Sequence, residues 1–136
     1  MKLNLKKWWY IAPAYLTLWT LAFSIWNIAD GQGMMEAFGI DTGGASQFIM
    51  LNSAARYVAI AVGMIVGIWV FRTYHAIITA LLIRLTMDLL DLYSGLQAGI
   101  IQDASGVIQS FLMFIIPNLF AIYSLNRLVK KKSSAV

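Results

Sequence analysis

Residues 76–95 read AIITALLIRLTMDLLDLYSG, and the fold turns on how this stretch is read. At ~1.5 Å per residue it is long enough to cross a hydrocarbon core of ~30 Å. Yet it carries Arg84, Asp88 and Asp91. Spaced by four and three, these charges project from one stripe of a helix, and Gly95 continues that stripe. On the membrane-insertion scale a central Asp or Arg costs ~2.5–3.5 kcal/mol, while a Leu or Ile returns only ~0.3–0.6 kcal/mol. The ten Leu and Ile residues between Ile77 and Leu96 therefore do not offset three charges. Such a segment is a poor inserter alone and is stable only where other helices enclose its charged stripe.

Three further apolar runs, 8–28, 48–71 and 107–128, supply such helices. All four runs are continuous, without the ten-residue alternation of barrel strands, so helices are the spanning element. With 60% hydrophobic and 12% charged residues, the 136-residue chain is too apolar for a soluble domain of its size. The expected fold class is all-α: a polytopic membrane protein folded as an antiparallel four-transmembrane-helix bundle. It forms a single domain over 1–136, with an outward loop at 29–46 and a basic tail at 127–136. Lys6 and Lys7 ahead of the first run suggest a secretory signal, but the run is too long and is loaded with Trp8, Trp9, Trp19 and Trp26. Residues 24–33 also lack a small-x-small cleavage site, so the segment is expected to stay as a helix.

The net charge of +4 arises mainly at the two ends, from Lys2, Lys6 and Lys7 and from Arg127, Lys130, Lys131 and Lys132. That distribution speaks for membrane orientation and anionic headgroups, with no nucleic-acid partner. The stretch with Arg72 and His75 is basic too, whereas Asp30, Glu36, Asp41 and Asp103 lie in loops without Lys or Arg. The expectation is a multi-pass protein of the cytoplasmic (inner) membrane with N- and C-termini both cytoplasmic, inserted in one orientation. Trp8, Trp9, Tyr10, Trp69 and Tyr74 fit interfacial anchors. In the 29–46 loop, Met34, Met35, Phe38 and Ile40 form an apolar cluster among glycines, which suits a short interfacial helix, either as a linker or as a lid.

Arg56 is the natural partner for the acidic stripe. It lies at a depth similar to Asp88 and Asp91, and a short turn joins the two helices. A fork from Arg56 to either aspartate, with Arg84 engaging Asp88 in its own helix, makes a buried network of zero formal charge between the second and third helices. Asn52, Arg56, Gly63 and Gly67 share a face, and Gly63 with Gly67 forms a small-xxx-small pair for close helix packing. Thr17, Thr20, Ser24 and Asn27 form an uncharged polar stripe on the first helix. On the last, Gln109, Met113, Pro117 and Ser124 share a broad face, Asn118 falls off it, and Pro117 should kink the helix.

Little supports enzyme chemistry. There is no cysteine, hence no disulfide, thiolate catalysis or cysteine metal site. His75 is a lone histidine remote in depth from the aspartates, the arginines oppose a metal there, and no dinucleotide or phosphate-loop motif occurs. No metal and no cofactor is expected.

Taken in order, Met34-Met35-Glu36-Ala37-Phe38-Gly39-Ile40-Asp41, Asn52 to Arg56, Gly63-Met64-Ile65-Val66-Gly67, and Arg84 with Asp88 and Asp91 resemble the small four-helix bacterial membrane proteins of unknown function, loosely DoxX-like. The resemblance implies a left-handed antiparallel bundle in the cytoplasmic membrane and supplies no reaction. Three readings of the charges stay open. They bind a lipid or small amphipathic ligand, or belong to an accessory subunit of a larger membrane complex. They act in an oligomeric proton- or cation-coupled transporter through Asp88 and Asp91. Or they only specify how the helices pair. The partners this implies are the lipid bilayer, a lipid or small-molecule ligand, and further copies of the chain or a larger complex.

Overall fold

A computed structural model describes residues 2–37, 46–97, 101 and 103–133, almost all of them helical. A 3-10 turn, Lys7–Tyr10, leads into α1, Ile11–Ala37. α2 runs over Ser46–Ile65 and continues as a wide π turn, Val66–Phe71. α3 is Tyr74–Gln97. α4 comprises Ala104–Ser110, a second π turn at Phe111–Ile115, and Ile116–Ser133.

Local chemistry explains where these elements start and stop. α1 reaches further than its apolar run because Asp30 restarts it. The backbone there leaves the helix, at φ −154° and ψ 68°, and Asp30 Oδ1 accepts from the Gly33 N–H at 2.9 Å as a cap. The first part of the expected 29–46 loop is thus helical through Ala37, and the break falls at Asp30 rather than at a glycine. Of the apolar cluster, Met34 and Met35 fall on this helical stretch, whereas Phe38 and Ile40, and with them the lid expectation, lie outside the described residues. α2 ends at Arg72, whose φ of 55° is left-handed and whose N–H donates back to Gly67 O at 3.2 Å. Thr73 then opens α3, its Oγ1 accepting from the Ala76 N–H at 3.3 Å. Asp103 caps α4 by accepting from the Gly106 N–H at 2.9 Å.

Contacts between helices run antiparallel. Tyr10 meets Trp69, Thr17 meets Met64 and Phe23 stacks on Tyr57, so α1 and α2 travel in opposite directions. Gly67 touches Ala76 while Arg56 reaches Asp91, which reverses α3 against α2. Trp8 meets Phe120 and Trp19 meets Phe114, which does the same for α1 and α4. The apolar core lies toward one end, where Leu16, Met64, Ile68, Ile77, Leu81 and Leu125 are fully buried. Trp9 belongs to this core rather than to an interfacial belt, because its indole N–H donates to Ala121 O at 3.2 Å and its ring is 1% exposed. The segment before the first turn closes the same end, with the Leu3 N–H donating to Arg72 O at 2.7 Å.

Of the glycine pair, only Gly67 serves close packing. A Cβ there would lie 2.8 Å from Ala76 O and 3.1 Å from Ala80 Cβ, whereas one on Gly63 would meet nothing within 4 Å. Among the described residues, three helices are long and apolar enough to cross a membrane: Lys7–Gly33, Leu51–Phe71 and Ala104–Lys130. α3 is of similar length, 24 residues, and differs by its charges. Ile11, Leu18, Val62, Leu90, Leu112 and Phe120 stand exposed on the outer faces of all four helices. Water does not tolerate so much large apolar surface, and a lipid bilayer does.

Candidate functional site

α1 builds one wall of the site. Thr17, Thr20, Ser24 and Asn27 are all buried, as their spacing predicts. Each hydroxyl donates to the carbonyl four residues back, Thr17 to Pro13 O at 2.8 Å, Thr20 to Leu16 O at 2.7 Å and Ser24 to Thr20 O at 2.7 Å. This back-bonding satisfies the donors inside the helix and leaves oxygen lone pairs facing inward. Thr20 uses one of them, its Oγ1 accepting from Arg84 Nη1 at 2.8 Å.

Arg84 and Asp88 form the centre. The pair closes within α3 at four-residue spacing, Nη2 to Oδ1 at 2.8 Å, with side chains 4% and 6% exposed. The guanidinium also lies over the Phe114 ring, 5.8 Å from its centroid. Asn118, fully buried, stands beside Asp88. By strict hydrogen-bond geometry its amide, the amide of Asn27, Arg84 Nε and Asp88 Oδ2 have no partner among the described residues, although the Asn118 amide lies close enough to Asp88 to interact with its carboxylate. Each such atom costs about 1–3 kcal/mol if left unmet.

The second pair is of another kind. Arg56 Nη2 reaches Asp91 Oδ1 at 2.9 Å across α2 and α3, with side chains 45% and 33% exposed. The Tyr57 hydroxyl donates to Asp91 Oδ2 at 2.8 Å, and its ring flanks the guanidinium at 5.2 Å. The expected single network between the second and third helices thus divides. One pair is enclosed by α1, α3 and α4, and the other bridges α2 to α3 at the surface. In the division Arg84 pairs with Asp88 of its own helix and donates to Thr20 of α1, while Arg56 pairs with Asp91.

Other expected residues separate. Asn52 and Gln109 are exposed, Gln109 with its amide against Met113 Sδ at 3.6 Å, so Gln109 does not line the interior. Pro117 is half-buried and follows the π turn Phe111–Ile115, the wide turn that accompanies its missing donor. That turn takes up extra residues per revolution, and the inward face beyond it becomes Ile115, Asn118, Ala121 and Leu125. Asn118, which a regular helix would turn away, is brought inside. Ser124 is buried as expected, donating to Phe120 O at 2.7 Å. Tyr57 and Phe114 carry no polar spacing signal in the sequence and were not anticipated. His75 is exposed and lies edge-on to Tyr74.

Chemically, the arrangement offers a neutral ion pair with one spare N–H and one spare carboxylate lone pair, and the Asn118 amide beside it. It is suited to hydrogen-bond a small polar group rather than to attack one. Comparison with protein-family models, with curated proteins and with solved structures finds no match.

Proposed function

We propose that this chain is a multi-pass protein of the cytoplasmic membrane, with four spanning helices and both termini cytoplasmic. It binds a lipid or a small amphipathic molecule, alone or as the accessory subunit of a larger assembly, and carries out no reaction. The observation behind this reading is the enclosed Arg84–Asp88 pair, whose Arg84 Nε and Asp88 Oδ2 lack a well-formed hydrogen bond and which has the buried Asn118 amide beside it. In hydrocarbon such atoms gain more from a hydrogen-bonding guest, or from water accompanying one, than from remaining unmet. Enclosure by α1 and α4 also supports α3 as the fourth span, since its two central charges face protein rather than lipid. The transporter reading has less support, because each aspartate of the stripe is already held by an arginine.

Thermal unfolding in mild detergent, with and without a bacterial lipid extract, tests the proposal. The extract should raise the midpoint of the unmodified protein, and Asp88→Asn or Asn118→Leu should reduce that increment. An increment absent from the unmodified protein for every lipid class tested overturns the reading.

A further inference from the structure

A groove of about 160 Å³ runs between α2 and α3, lined by Ala59, Ile60, Gly63, Met64, Ala80 and Ile83. All six are apolar. Toward the α2–α3 connection it is closed by Gly67, seated against Ala76 and Ala80. Toward the other end, one turn before Ala59 and Ile60, the two helices are bridged by Arg56 and Asp91. The groove therefore has a closed apolar end, and the Arg56 guanidinium belongs to the turn of α2 just beyond its other end. Its volume is roughly that of five waters, room for a segment of one hydrocarbon chain and far less than a helix ~10 Å across needs.

Arg56 lies within the candidate span Leu51–Phe71. Its guanidinium is half exposed there. Nη2 donates to Asp91 and the group lies within interaction reach of the Tyr57 hydroxyl, while a guanidinium carries five N–H donors. Asp91, by contrast, is engaged at both oxygens, by Arg56 and by Tyr57. This turn therefore offers donors and calls for acceptor oxygens. Acceptor oxygens above a chain of methylenes are the chemistry of a phospholipid, whose phosphate and ester groups sit over its acyl chains.

We propose that the α2–α3 groove holds one acyl chain of a membrane phospholipid whose phosphate or ester oxygens accept from Arg56. This rests on the reading of the chain as an amphiphile-binding membrane protein, and it places the hydrocarbon portion of the guest outside the Arg84–Asp88 interior.

Gly63 provides a clean test, since a Cβ there meets no atom within 4 Å. Gly63→Leu projects into the groove from this open position, and the unfolding midpoint of delipidated protein should not fall. The protein, Gly63→Leu, Arg56→Gln and Arg84→Ala are purified in mild detergent and analysed by native mass spectrometry. They are then delipidated and titrated with nanodiscs of dioleoyl phosphatidylglycerol and phosphatidylcholine. The unmodified protein should retain one phospholipid per chain, and Gly63→Leu and Arg56→Gln should each weaken retention about tenfold. Retention undiminished in both, but lost in Arg84→Ala, overturns the groove and leaves the broader reading standing. No retained amphiphile in any sample defeats that reading itself. A dimer dispersed by Gly63→Leu, with no lipid change, assigns the groove to a second copy of the chain and overturns the proposal.

Discussion

Arg84 is a buried charge whose stability depends on its partners. Its charge is removed from water, balanced by Asp88 at 2.8 Å and assisted by Thr20 at 2.8 Å. Removing one member of a buried pair strands the other, at a cost of about 3–5 kcal/mol, whereas replacing both with apolar residues of similar volume is often neutral or stabilising. Arg84→Met and Asp88→Leu should each lower stability by about that amount. The double substitution should recover most of the loss, as measured by reversible unfolding in detergent. A double variant as damaged as either single would mean that the pair is not an isolated energetic unit. Legibility at this scale follows the local period. Arg84 with Asp88, and the stripe from Thr17 to Asn27, are readable because spacings of three and four put side chains on one face of a helix wherever it packs. Tyr57 and Phe114 were not readable, because their roles depend on which helix lies opposite.

Between elements, the two glycines of α2 separate what looks alike in sequence. Gly67→Ala forces a Cβ to 2.8 Å from Ala76 O, a backbone atom that moves only with α3. The expected loss is about 1–3 kcal/mol, as for overpacking in a close-packed interior. Gly63→Ala meets no atom within 4 Å and should stabilise by up to about 1 kcal/mol, through helix propensity alone. Comparing the two unfolding midpoints checks the assignment, and equal effects would contradict it. At the start of α4, the Gly106 N–H, with help from the Ser105 hydroxyl, holds the Asp103 carboxyl below its ordinary pKa. A carboxylate depressed in the folded state adds stability above its unfolded pKa and loses it as pH falls through the folded value. The unmodified protein should therefore destabilise slightly more than Asp103→Asn on acidification below the ordinary carboxylate range. An identical acid response in both would show that the cap contributes nothing. The π turn at Phe111–Ile115 is the element least visible beforehand. Pro117 announces a disturbance, but how the chain absorbs it depends on what Ile115 and Asn118 then pack against.

Across the whole molecule, charge is sorted by end. The N-terminal segment, the α2–α3 connection and the last turns of α4 meet through Leu3 with Arg72 and Tyr74 with Asn126, which gathers Lys2, Lys6, Lys7, Arg72, Arg127 and Lys130. Asp30, Glu36 and Asp103 lie toward the opposite end. The positive-inside rule is the basis of the proposal that the basic end faces the cytoplasm. The chain has no native cysteine, so single-cysteine variants report topology directly. A membrane-impermeant maleimide applied to intact cells should label Ser105→Cys and spare Arg127→Cys until the cells are opened. The reverse pattern would invert the proposed orientation. Sequence alone determined the helical class, the four apolar segments, the polar face of α1 and the need to enclose the charges of 76–95. Those follow from the fixed periods of a helix and from transfer free energies that act on each residue wherever it lies. Tertiary structure alone decided that the charges form two pairs rather than one network, that Trp9 and Asn118 turn inward, and that Gly63 borders an open groove while Gly67 closes it. Each of these depends on the rotation of one helix against another, set by packing energies between residues far apart in the chain, and no local spacing encodes it.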